Sequence, residues 1–95
     1  MGSAFSRKVQ LTREEFLREL PDAVGRMSYH TDGDDIIIED NSKTVRITLT
    51  DLGIKDLGAL HLPMQQVDFN FENMAAFEIE GFMTRWDGHK LRMGG

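Results

Sequence analysis

Carboxylates are the most concentrated group of potentially reactive side chains in this sequence. Five of them fall within nine residues: Asp32, Asp34, Asp35, Glu39 and Asp40. Oxygen ligands of this kind bind hard cations such as calcium, magnesium and iron. The segment does not fit an EF-hand calcium loop, because Ile36 and Lys43 stand where that loop needs an oxygen ligand and a bidentate glutamate. Solvated turn residues are therefore the favoured interpretation, and acidic metal binding remains an alternative.

The other residues with catalytic chemistry do not form a recognisable set. The chain has no cysteine, which excludes thiolate chemistry and cysteine zinc sites. The three histidines, at positions 30, 61 and 89, have no spacing that would place two of them on one side of a strand or helix. Neither Ser28 nor Ser42 lies in a nucleophile elbow, and the glycines do not form a phosphate loop. We predict no enzyme, no cofactor, and no catalytic or metal-ligating residue.

Composition limits the class of protein that such residues can belong to. The chain has 95 residues and a mass of 10.8 kDa, which suits one small domain. A net charge of −5 disfavours general binding to nucleic acid or to anionic lipid. No apolar run approaches the ~20 residues of a membrane span, and no apolar signal segment follows Arg7 and Lys8. We expect a cytoplasmic protein without a membrane partner.

The clearest local signal is a helix start. Thr12 and Glu15 have the spacing of a capping box, in which each side chain bonds the backbone amide of the other residue, so a helix should begin at Arg13. Pro21 predicts one of two outcomes. The helix either stops near Leu20, or continues for one kinked turn through Val24 before Gly25 caps it.

Alternating apolar and polar residues predict four strands after this helix. The strands are residues 27–31, 35–39, 44–50 and 66–71. Turns are expected at Asp32-Gly33 and at residues 40–43, and an irregular connection at residues 51–63. Asn73 should cap a second helix over residues 74–86. The apolar face of that helix should comprise Ala75, Ile79, Phe82 and Trp86, widened by Phe77 and Met83.

This order predicts an α+β fold, a two-layer sandwich of a four-stranded antiparallel meander with both helices on one sheet face. Residues 11–88 should form the single domain, between a flexible N-terminus at 1–10 and a flexible basic Gly-Gly tail at 89–95. The sheet face away from the helices, here called the open face, would remain available to solvent or a partner. Its expected partner-binding residues are Arg46, Thr48, Asp68 and Asn70, together with Lys90 and Arg92 of the tail.

Two short resemblances accompany this pattern. The terminal Leu91-Arg92-Met93-Gly94-Gly95 resembles the Leu-Arg-x-Gly-Gly end of ubiquitin-like proteins and the Gly-Gly end of sulfur carriers. It implies a carrier activated at Gly95, although the predicted helix-first order departs from the strand, strand, helix, strand order of the β-grasp fold. The element order with an acidic first helix is loosely similar to frataxin, which implies iron binding by architectural analogy alone.

These observations favour a noncatalytic interaction module that docks a larger protein. The open face or the basic tail would make the contact, and the partner's identity and the oligomeric state stay open. The alternative is a diglycine-tailed carrier that uses Gly94 and Gly95, and the second alternative is an acidic metal-binding protein. Nucleic-acid binding is not expected, because the basic patch lacks interleaved aromatic residues.

Overall fold

Two helices and five strands make up the part of the chain that the computed structural model describes, residues 4–25 and 27–88. In chain order the elements are β1 (Ala4–Val9), α1 (Arg13–Val24), β2 (Ser28–Asp32), β3 (Asp35–Asp40), β4 (Lys43–Leu57), β5 (Leu60–Glu72) and α2 (Ala76–Gly88). All strands are antiparallel to their neighbours, in the order β1-β5-β4-β3-β2. The predicted α+β class and the predicted meander are therefore present, and the sheet has one strand more than predicted.

The additional strand is β1, which falls in the N-terminal segment predicted to be flexible. It pairs with β5 from Ala4 opposite Asn70 to Val9 opposite Gln65. Its apolar signal is weak, because Arg7 stands between Phe5 and Val9 on the face that meets the helices. Arg7 is accommodated there by a two-bond contact with Asp87 of α2, at 3.1 Å for each bond, which raises the pKa of the guanidinium. Tertiary contacts thus make a strand that local pattern does not reveal.

The second correction concerns residues 51–63, predicted to be an irregular connection. They are the outer half of a long hairpin, in which β4 and β5 stay paired as far as Leu57 opposite Leu60. A register shift between Asp51 and Gly53 marks a β-bulge, and Gly53 (φ 84°) and Gly58 (φ 64°) adopt positive φ at the bulge and at the turn. The glycines that indicated a loop therefore serve one continued hairpin.

This hairpin extends past the rest of the sheet. Pairing of β3 with β4 ends at Thr48, and pairing of β1 with β5 ends at Gln65. Residues 52–64, here called the arm, consequently have no strand partner on either outer edge within the described residues. The described molecule is accordingly elongated, with principal extents of 46 × 24 × 24 Å.

Helix α1 follows the predicted start. Thr12 Oγ1 accepts from the amide of Glu15 at 3.1 Å, and Glu15 Oε1 accepts from the amide of Thr12 at 2.9 Å, so the capping box is confirmed. The helix takes the longer of the two predicted courses. It continues through Pro21 to Val24, and Gly25 (φ 65°) donates its amide to the carbonyl of Pro21.

Helix α2 begins two residues later than predicted, at Ala76, and ends at Gly88. Asn73 is not its N-cap: it has a φ of 58°, and its Nδ2 donates to the carbonyl of Ser42. Glu78 instead closes the helix start by accepting from the amide of Ala75. Phe77 is two residues before the buried Ile79 and therefore on the opposite side of the helix, with 76% of its surface exposed. Ala75 precedes the helix and is exposed as well. The prediction that both belong to the buried face is wrong.

One face of the sheet carries the core. Aromatic side chains join it to both helices: the ring of Phe69 lies 5.0 Å from that of Trp86 and 6.2 Å from that of Phe82, and Phe16 of α1 lies 5.8 Å from Trp86. Apolar residues of all strands except β2 complete this cluster. The turn between β2 and β3 is Gly33-Asp34, one residue later than predicted, because Asp32 pairs with Asp35 and Gly33 (φ 63°) supplies the positive φ.

Candidate functional site

The sheet residues predicted to bind a partner lie together at the centre of the open face. Arg46 stands opposite Asn70 and Thr48 stands opposite Asp68, on the adjacent strands β4 and β5. Alternate residues of a strand point to opposite faces, and the residues between these four are buried under the helices. The four side chains therefore form one block on the helix-free side of the sheet.

Asp35 of β3 accepts hydrogen bonds from two side chains at one edge of this block. Its Oδ1 accepts from Thr48 Oγ1 and its Oδ2 accepts from Arg46 Nη1, both at 2.8 Å. These hydrogen bonds, the one from Thr48 first, hold the pKa of Asp35 below its usual value despite some opposing desolvation. Sequence reasoning placed Asp35 in an acidic cluster and missed its role on the open face. The strand register, which was not known from the sequence, brings it beside Thr48.

Asp68 organises the other edge. Its carboxylate accepts from Ser6 Oγ of β1 at 2.5 Å and from Gln66 Nε2 at 3.1 and 3.2 Å. Ser6 and Asp68 are cross-strand partners, so this contact depends on the strand that the sequence did not predict. Side-chain hydrogen bonds thus join β1 to β5 at one edge of the block and β4 to β3 at the other.

The open face is acidic as a whole. By register, its lysine and arginine residues within the described chain are Lys8, Arg46 and, on the arm, Lys55. Its carboxylates are Asp32, Asp35, Glu39, Asp68 and Glu72. Glu39 lies 3.6 Å from His30, and Asp35 is paired with Arg46. Carboxylates therefore outnumber the basic side chains, which favours contact with a positively charged surface.

The acidic cluster of the sequence does not converge on one point. Asp34 lies in the turn beside Arg13, 3.8 Å from its guanidinium, whereas Glu39 and Asp40 lie at the other end of β3. The described residues contain no group of three histidine, aspartate or glutamate side chains placed to hold a metal ion. His30 and His61 lie apart, each beside its own carboxylate, and His61 Nδ1 is 2.5 Å from Asp56 Oδ1.

The arm is a surface that sequence reasoning missed. Six large hydrophobic side chains are exposed in the described chain, and four of them lie on the arm: Leu52, Ile54, Leu57 and Leu60. Leu57 and Leu60 are cross-strand partners at the tip and continue the open face by register. The signal in the sequence is the apolar content of residues 52–60, a segment whose glycines predict an irregular connection. Clustered exposed apolar side chains mark interaction sites more often than scattered ones do.

Several predicted features lie outside the described residues. They are His89, Lys90 and Arg92 of the basic tail, and the terminal Gly94 and Gly95. Within the described part of the chain, neither helix has the length and apolar character needed to cross a membrane.

The comparisons with known proteins return no relative. No family model matches the chain, no curated protein matches it, and no solved structure matches it. Interpretation of the site therefore depends on its geometry and chemistry.

Proposed function

We propose that this protein is a noncatalytic cytoplasmic docking module that binds a partner protein through the arm and the adjoining open face. The observation that carries the proposal is the position of the exposed apolar side chains. Four of the six in the described chain fall within residues 52–60, on a hairpin that extends past the neighbouring strands. Exposing these side chains costs solvation free energy, about 25 cal/mol for each Å² of apolar surface, which a partner would recover by covering them.

The charge of the open face defines the partner's chemistry. Leu57 and Leu60 lie on the same side of the sheet as Asp68 and Glu72. A matching surface would carry an apolar patch next to lysine or arginine residues, because apolar burial supplies affinity and opposite charge supplies orientation and rate. The partner is therefore a protein with a basic and apolar surface segment.

Substitution of the arm leucines tests the apolar part of this surface. Leu57→Thr combined with Leu60→Thr introduces β-branched residues, which suit strands, and removes the exposed apolar groups. Tagged wild type and tagged variant would each be used to capture proteins from native lysate, and the captured proteins would be compared by quantitative mass spectrometry. At least one protein should be captured by the wild type and not by the variant. The control is Phe77→Gln, which removes an even more exposed apolar side chain, on α2 and outside the arm. Equal loss with the control, or no loss with the arm variant, would refute the proposal.

A pair of charge reversals tests the acidic part. Asp32→Lys with Glu72→Lys changes the open face, and Asp22→Lys with Glu80→Lys makes the same change of net charge on exposed helix positions. Capture should fall for the first pair only, and added salt should weaken it in the wild type. Equal effects of the two pairs would indicate a general charge effect and contradict a role for the open face.

Two other outcomes have distinct signatures. If the wild type sediments as a dimer and the arm variant as a monomer, the arm binds a second copy of this chain and no separate partner is needed. If deletion of Gly94 and Gly95 abolishes capture and substitution of the arm leucines does not change it, the result supports the diglycine carrier and contradicts the docking module.

A further inference from the structure

A cavity with both polar and apolar lining lies between the start of α1 and the base of the arm, on the helix side of the sheet. It has a volume of about 470 Å³, and its lining includes Thr12, Arg13, Glu14, Ile54 and Pro63. A second cavity of about 260 Å³ shares three of its lining residues: Arg13, Asp51 and Gln65. The larger volume is within the usual range of small-ligand sites, ~300 to 1,000 Å³.

Gln65 gives this cavity a specific chemical feature. It is the buried polar residue of the described chain, with 6% of its surface exposed, and it lines both cavities. Within the described residues its side-chain amide makes no hydrogen bond. The amide atoms are not among the fully enclosed unpaired polar atoms, so they are open to the cavity. Its carbonyl oxygen and its amino group are therefore available to a molecule in the cavity.

The charges around Gln65 favour a cation. The guanidinium of Arg13 is already engaged, since it donates to the carbonyl of Gly33 at 2.7 Å and lies near Asp34. Asp51 accepts from the amide of Gly53 at 2.7 Å, and neither Asp51 nor Glu14 forms an ion pair within the described residues. Two carboxylates without a cationic partner thus line the same cavity as a free amide oxygen.

We propose that this cavity binds a primary ammonium group carried on an aliphatic stem. The ammonium would donate to the carboxylate of Asp51 and to the amide oxygen of Gln65, while the stem packs along Ile54 and Pro63. A metal ion fits less well, because no three acidic or histidine side chains of the described chain converge. The same chemistry exists in a free alkylamine and in a lysine side chain. The site shares Ile54 and Pro63 with the arm but lies on the opposite sheet face from Leu57 and Leu60, so the Leu57→Thr/Leu60→Thr variant should leave it intact.

Titration followed by ¹⁵N NMR tests the site, with pentylamine as the probe for a free amine and a capped Ala-Ala-Lys-Ala-Ala peptide for a lysine side chain. The side-chain amide resonances of Gln65 should shift with at least one probe. The tighter of the two identifies the source of the ammonium. The neutral analogue 1-pentanol should bind at least about tenfold more weakly. Equal binding of 1-pentanol, or no shift with either probe, would overturn the proposal.

Two variants assign the contacts. Asp51→Asn removes the charge but keeps an oxygen that accepts from the amide of Gly53, and Gln65→Met removes the amide at similar length. Each should weaken the amine by about tenfold or more, whereas Glu80→Gln, the same change of group at an exposed helix position, should leave binding unchanged. Wild-type affinity in both site variants would contradict the assignment, and unaltered backbone spectra establish that each variant is folded.

Discussion

At the scale of single residues, Asp35 is the best-defined polar group of the open face. It accepts one hydrogen bond from Thr48 and one from Arg46, and it connects β3 to β4 through side chains as well as through the backbone. The two bonds favour the ionised carboxyl, so the pKa of Asp35 is lower in the folded chain than in the unfolded chain.

This difference predicts a pH dependence of stability. A lowered folded pKa contributes stability that is present above the unfolded pKa, about 4, and is lost as the pH falls through the folded pKa. Asp35→Asn should therefore cost about 1 kcal/mol near neutral pH, since the group is partly solvated, and the cost should shrink below pH 4. Urea unfolding from pH 7 to pH 2 measures it. Asp40→Asn, at an exposed position on the same strand, is the control. A cost that stays constant with pH would exclude the ionised carboxyl as its source.

Two phenylalanines provide a second comparison at this scale. Phe69 is fully buried against Trp86 and Phe82, whereas Phe77 is largely exposed. Phe69→Ala should lower the free energy of unfolding by about 3–5 kcal/mol, and Phe77→Ala should change it by no more than about 0.5 kcal/mol. Chemical denaturation of both variants measures the difference. A large effect of Phe77→Ala would indicate that Phe77 is buried in the core, as the sequence pattern predicts.

At the scale of elements, the sequence predicts the helices and strands that are specified by patterns of neighbouring residues. The capping box fixed the start of α1, and strict alternation identified the inner part of β4 and of β5. β1 was not predicted because contacts with distant segments stabilise it. It pairs with β5, and its Arg7 bonds Asp87, which lies 80 residues later in the chain. The arm escaped because glycine and proline usually end strands, whereas here Gly53 forms a bulge and Gly58 a hairpin turn.

The candidate site was predictable in part for the same reason. Alternation alone placed Arg46, Thr48, Asp68 and Asn70 on one sheet face, and the register makes them neighbours. Alternation could not supply the contacts of Asp35 and Ser6, because these depend on which strands are adjacent. It could not supply the arm leucines either, since a segment interpreted as a loop has no defined face.

The arm should contribute little to the free energy of unfolding. Residues 51–61 are all exposed, and neither outer edge of the arm is paired in the described chain. Replacing residues 52–64 by Asn-Gly would join the cross-strand partners Asp51 and Gln65 through a two-residue turn. The free energy of unfolding should change by less than about 1 kcal/mol, because little buried surface is lost and the loop becomes shorter. Thermal and urea unfolding measure this. A loss of several kcal/mol would mean that the arm supports the core.

At the scale of the whole molecule, the two sides of the sheet differ in composition. One side joins both helices in an aromatic and aliphatic core that holds the strands in register. Within the described residues, the other side carries no helix, is acidic, and is continuous with the arm. A packed core on one side of a sheet and a mixed apolar and acidic surface on the other is the arrangement that we propose for a docking module.

The most direct test of this account is photo-crosslinking in native cells. A photoreactive amino acid would replace Leu60 at the tip of the arm in one protein and Phe77 on α2 in another, both at exposed positions. The account predicts a discrete adduct with a protein bearing a basic surface segment from position 60, absent from position 77 and lost when Asp32 and Glu72 are changed to lysine. The same adducts from both positions, or none from position 60, would contradict docking through the arm and the open face.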